Sequence, residues 1–160
     1  MPVVIDGNNL LYAVRAIEGP VSATGRSTLC ATVENWARRR NERVHLVFDG
    51  PAPPGVRAKQ AASRVIQVTY SGHGVTADAV VSTILETDSA ARRLTVVSSD
   101  RAVMKAAKRR RARPIRSEDF WALLRRDLSR PGRRRVEPRE KEAGLGPQAA
   151  EQWLDEFGLD

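Results

Sequence analysis

Val3-Val4-Ile5-Asp6-Gly7-Asn8-Asn9 is the stretch on which the reading of this chain turns. Three β-prone apolar residues run into an acid and then into the turn-formers Gly and Asn. A run with no polar alternate face is the pattern of a strand buried on both sides. The same grammar recurs further on. Val44 to Phe48 ends at Asp49-Gly50-Pro51, and Leu94 to Val97 ends at Ser98-Ser99-Asp100.

The segments between these runs supply the rest of a fold. Residues 27–41 carry Leu29, Val33 and Trp36 at helical spacing. Pro51 to Gly55 reads as a proline-rich loop, Val65 to Tyr70 as a third strand and Ser71 to Gly74 as a flexible loop. Thr76 is placed to cap a helix over 77–88. A helix over 101–111 and a short strand over 114–116 follow. The last helix runs from Ser117 to Leu128, opening on Ser-Glu-Asp and carrying Phe120, Leu123 and Leu124 on one face. The order β-α-β-β-α-β-α-β-α predicts an α/β domain with a mainly parallel sheet covered on both faces. That domain is expected over residues 1–128. Residues 129–146 read as a basic linker containing Pro and Gly, and 147–160 as an amphipathic helix or tail with Trp153, Leu154 and Phe157 apolar.

Composition narrows the chemistry. The chain has 160 residues, a single cysteine, Cys30, and two histidines, His45 and His73. A disulfide framework and a cysteine zinc cluster are therefore excluded within it. No apolar run approaches the roughly 20 residues of a membrane helix, and Asp6 breaks the first run too early for a signal peptide, so a soluble, cytoplasmic protein is expected. The net charge is +8, but it is local. Residues 105–141 hold 15 Lys/Arg against 5 Asp/Glu, and the other 123 residues are net acidic. Such a block attracts polyanions, nucleic acid first. A solvated charge run is the plainer reading.

In an open parallel sheet the carboxyl ends of the strands share one edge, where ligands bind near a switch in strand order. Asp6, Asp49 and Asp100 stand at such ends. Asp78, in the first turn of the helix after Thr76, can face the same edge. Close carboxylates repel unless a cation joins them. Oxygen donors suit Mg²⁺ or Mn²⁺, and such an ion activates water and stabilises charge on a phosphate. The chemistry implied is metal-assisted phosphodiester hydrolysis. Asn8 and Asn9 can orient water or phosphate, and Ser98 and Ser99 can offer a hydroxyl or N–H. The arginine-rich segment 108–116, with Lys108, Arg109, Arg110 and Arg111 foremost, can grip the phosphate backbone, aided by the 125–135 stretch. Each aspartate also has an ordinary role, as turn dipeptide at Asp6-Gly7 and Asp49-Gly50, helix-dipole partner at Asp78 and cap at Asp100. His73 reads as an exposed loop residue, His45 as a strand residue and Glu86 as surface. Cys30, Trp36 and Trp121 read as core. A non-catalytic RNA-binding module and a phosphoesterase for small substrates remain the competing readings.

Taken together, Asp6-Gly7-Asn8-Asn9 after the first strand, Phe48-Asp49-Gly50 after the second, Thr76-Ala77-Asp78 opening a helix and Ser99-Asp100 after a later strand resemble the NYN domain of the PIN and FLAP-like nuclease group. The pattern is most similar to the YacP-like branch, over residues 2–128 and more loosely in the tail. The resemblance implies a three-layer α/β/α, PIN-like fold and a metal-dependent endoribonuclease. It implies metal ligands at Asp6, Asp78 and Asp100, with Asp49 in or beside the site. It also points to RNA as substrate, either ribosome-associated mRNA or structured precursors. Many relatives carry a second acid directly after the helix aspartate, where this chain has Ala79.

Overall fold

The computed structural model describes residues 1–55 and 63–131. Five strands, β1 (Val3–Asp6), β2 (Val44–Phe48), β3 (Ile66–Tyr70), β4 (Thr95–Val97) and β5 (Arg113–Ile115), form one sheet in the order β3-β2-β1-β4-β5. All four pairings are parallel. Five helices accompany them: α1 (Gly7–Glu18), α2 (Arg26–Arg40), α3 (Ala77–Thr87), α4 (Arg101–Arg109) and α5 (Ser117–Ser129). The chain builds outward from β1 through β2 to β3, then crosses back to place β4 on the other side of β1. The switch in strand order therefore lies between β1 and β4.

Period-two alternation divides the core into two layers. Val3 and Ile5 of β1, with Leu46 and Phe48 of β2, pack with α1, α2 and α5. Val4 and Val47 face the other way, against Val81 and Leu85 of α3 and Val103 and Ala107 of α4. The result is a three-layer α/β/α domain in which the central strands are buried on both faces. Trp36 packs edge-on against Phe120 at 5.1 Å, and its indole N–H donates to Asp127 at 3.1 Å. Trp121 is buried, whereas Cys30 is half-buried at the margin of the same core.

One element departs from the sequence reading. Gly7-Asn8-Asn9, read as a turn, opens the twelve-residue helix α1, so two helices separate β1 from β2. Asp6 ends the strand and caps the helix at once, its Oδ1 accepting the Asn9 N–H at 3.1 Å. Gly7 is demanded by close approach: a Cβ there would stand 2.6 Å from the Phe48 ring and 2.8 Å from the Val47 carbonyl oxygen. Leu10, Leu11 and Val14 then bury the helix's inner face. The other elements lie within a few residues of expectation, the last strand covering Arg113–Ile115 rather than 114–116.

Residues Met1–Arg130 form one compact unit. The expected linker from residue 132 onward and the terminal amphipathic helix lie outside the described residues. No helix among the described residues is long and apolar enough to cross a membrane.

Candidate active site

The carboxyl edge of the sheet gathers the four aspartates. Asp6 closes β1, Asp49 follows β2, Asp100 follows β4 as the cap of α4, and Asp78 lies in the first turn of α3. Asp6 is the most enclosed, at 6% exposure. Its carboxyl is pushed up to about 6 from an ordinary 3.8, first by burial and then by the negative charges of Asp49, Asp78 and Asp100, against the opposing pull of the Asn9 N–H. Asp6 thus feels the charge of the other three across the edge.

Their hydrogen bonds divide them by role. Asp6 and Asp100 each commit one oxygen to a helix cap, Asp100 Oδ1 accepting the Val103 N–H at 3.0 Å. Asp49 commits both. Its Oδ2 accepts the Asn8 amide N–H at 2.7 Å, and its Oδ1 accepts the Ala77 N–H at the start of α3. Asp49 therefore ties α1 to α3 and sets Asp78 beside Asp6. Arg26 braces the same corner, donating to Asn8 Oδ1 at 3.4 Å and to the Asp49 carbonyl at 3.3 Å, with its guanidinium 5.2 Å from the Phe48 ring centroid.

Asn9 and Ser99 are committed to the frame around the site. Asn9 Oδ1 accepts the Ser99 N–H at 2.8 Å and the hydroxyl of fully buried Ser117 at 2.7 Å. Ser99 in turn donates its hydroxyl to Glu118 at 2.5 Å and accepts the Ser117 N–H at 3.0 Å. The Ser99 hydroxyl also holds the Glu118 carboxyl below its usual range. Ser98 is buried, and its Oγ accepts the Asp100 N–H at 3.1 Å. The parts played by Arg26, Ser117 and Glu118 escaped the sequence reading, because these partners are separated by up to 108 positions.

Of the basic segment, Arg116 follows β5 at this edge and pairs with Glu118, but its first part does not lie here. Lys108 and Arg109 are the last residues of α4, and Arg110 and Arg111 follow it. A helix of nine residues rises about 13 Å, which carries them from the Asp100 end to the amino edge, where β5 begins. Arg110 is occupied there, its guanidinium donating to the carbonyls of Leu85, Glu86 and Asp88 at the end of α3. The expectation that Lys108, Arg109, Arg110 and Arg111 grip phosphate beside the carboxylates does not match this placement. His73 and Glu86 are exposed, and His45 pairs with Thr69 of the neighbouring strand at 2.8 Å.

The donor set is suited to a hard divalent cation. All the converging groups are carboxylates, and the Asp6 carboxyl is raised first by burial and then by its acidic neighbours, both of which a bound cation offsets. Among the described residues no three carboxylates, histidines or cysteines are drawn up to mutual ligand spacing. Mg²⁺ takes one or two protein carboxylates and keeps several waters, so an open arrangement of this kind accommodates it. Asp6 and Asp100 each keep one carboxylate oxygen, and Asp78 both, without a hydrogen bond among the described residues, so these oxygens are open to such an ion one or two carboxylates at a time.

A family model described as the YacP-like NYN domain matches residues 3–156. The fold is similar to the crystal structure of Rae1 (YacP) from Bacillus subtilis, with a TM-score of 0.61 and 18% identity, covering 99% of this chain and 90% of that one. The W164L mutant of the same protein superposes with a TM-score of 0.60 at 13% identity, covering 100% of this chain and 84% of that one. No curated protein sequence matches the chain.

Proposed function

The chain belongs to the YacP-like NYN domain family, and from that premise we propose that it is a Mg²⁺- or Mn²⁺-dependent endoribonuclease that hydrolyses internal phosphodiester bonds of RNA. The observation that carries the reading is the convergence of Asp6, Asp49, Asp78 and Asp100 on one sheet edge beside the strand-order switch, with Asp6 raised to about 6. A buried, raised carboxyl facing three further carboxylates is an arrangement that metal-dependent phosphoryl chemistry uses and a structural corner has little need of.

Asp6, Asp78 and Asp100 would hold the ion, which when bound supplies Lewis acidity and an activated water. Asp49 positions the site, locking the first turns of α1 and α3 to the end of β2 through Asn8 and Ala77. Asn9, Ser99 and Ser117 form a rigid brace that fixes the Asp100 loop relative to Asp6. Such a brace keeps the carboxylates in place before substrate arrives, which is the condition for electrostatic catalysis. The Asn8 amide has its N–H on Asp49 and its carbonyl within reach of Arg26, so substrate contact at this corner falls to neighbouring side chains. The test is cleavage of a mixed-sequence RNA by Asp6→Asn and Asp100→Asn. Both should lose activity while remaining folded. Wild-type rates in either would refute the assignment.

A further inference from the structure

Lys108 to Arg111 lie away from the carboxylate edge; Arg101 at the start of α4 and Arg116 after β5 are exposed there, and the face of α1 adds a groove with cations of its own. A groove of ≈ 490 Å³ is lined by Asn8, Leu11, Tyr12, Arg15 and Arg26. It adjoins the carboxylates directly, because Asn8 is hydrogen-bonded to Asp49. Asn8, Tyr12 and Arg15 fall at i, i+4 and i+7, on one helical face. Tyr12 is 78% exposed, an unusual position for an aromatic ring. Helical side chains lean toward their own N-terminus, so the ring tilts toward Asn8 and the site. Arg15 is exposed and donates only its Nε, to the Thr24 carbonyl at 3.1 Å. Its two terminal nitrogens make no hydrogen bond among the described residues. Arg26 is held at the other wall by Asn8, Asp49 and Phe48.

An exposed aromatic ring between two fixed guanidinium groups, leading into a carboxylate cluster, has the chemistry of a single-stranded nucleic acid platform: a base stacks on the ring while the cations track the phosphates. We propose that this groove is the path by which a single-stranded RNA reaches the carboxylates, with Tyr12 stacking one base and Arg15 and Arg26 holding adjacent phosphates. The proposal rests on the endoribonuclease reading for its direction of travel but is measurable without cleavage.

The experiment measures binding of a labelled mixed-sequence single-stranded RNA to the full chain in EDTA by fluorescence anisotropy. Tyr12→Ala should weaken binding about tenfold and Tyr12→Phe should not. Arg15→Ala should lower the slope of log K against log salt by about 0.7. The double variant Lys108→Ala/Arg109→Ala, at the opposite edge, should change both quantities less than either groove variant. Wild-type affinity in both Tyr12→Ala and Arg15→Ala, or a loss confined to the Lys108/Arg109 variant, overturns the proposal, as does failure of the wild-type chain to bind RNA. Mn²⁺ is then added. RNA bound through Tyr12 but left intact keeps the path and removes the nuclease, whereas cleavage with unchanged Tyr12→Ala binding does the reverse.

Discussion

Asp6→Asn should stabilise the metal-free protein while abolishing its chemistry. The carboxyl titrates at about 6 in the fold against an ordinary 3.8. At 1.36 kcal/mol per unit, the ionised group costs roughly 3 kcal/mol at pH 8. Asparagine removes the charge and keeps an Oδ1 that can accept the Asn9 N–H, and Asn caps helices about as well as Asp. The net gain is roughly 2–3 kcal/mol, or roughly 6–12 °C in Tm for a domain of this size. The gain has a defined pH dependence. A raised acid pKa is a penalty present in full above about 6, shrinking as pH falls and gone below 3.8, so wild type and variant should converge near pH 4. Metal inverts the ranking: wild type gains RT ln(1 + [M]/Kd) and the variant much less. Calorimetry at pH 8 and pH 4 in EDTA, then at pH 8 with Mg²⁺ or Mn²⁺, reads all of this. An Asp6→Asn protein that is less stable than wild type in EDTA at pH 8 would refute the reasoning.

Three further variants test the frame. Asn9→Ala leaves the Ser99 N–H and the buried Ser117 hydroxyl without their acceptor and should cost roughly 2–4 kcal/mol in urea unfolding. Gly7→Ala drives a methyl into the Phe48 ring and the Val47 carbonyl and should cost about 1–3 kcal/mol by the same measurement, more than an Ala substitution in an exposed helix could account for. Arg110→Ala uncaps the end of α3 and should lower stability by about 1–2 kcal/mol with cleavage per folded molecule unchanged; a selective loss of kcat would place that arginine in the chemistry.

What the sequence revealed, it revealed through local grammar. Apolar runs ending in Asp marked the ends of β1, β2 and β4, because a parallel strand buried on both faces cannot alternate. The Thr76 cap marked α3, which carries Asp78 to the same edge. Helix α1 was hidden because Gly7-Asn8-Asn9 has the composition of a turn, whereas Gly7 answers to the Phe48 ring, a neighbour 41 positions away. The apolar stripe of Leu10, Leu11 and Val14 was the available signal. The basic run was misplaced for a different reason: composition reports how much charge a helix carries, and only topology reports which end of the sheet it reaches. The brace of Asn9, Ser99, Ser117 and Glu118 joins residues from three distant segments and has no local signature at all.

The most direct measurement is incubation of the full chain with mixed-sequence single-stranded RNA and Mg²⁺ or Mn²⁺, with EDTA and Asp6→Asn controls and analysis of the product ends. A metal-dependent endoribonuclease of this kind should make internal cuts that need metal, disappear in the variant and leave 3′-hydroxyl and 5′-phosphate ends, because water attacks phosphorus and the 3′ oxygen departs. RNA that is bound yet never cut, or cuts that persist in EDTA and end in 2′,3′-cyclic phosphate, would contradict that assignment.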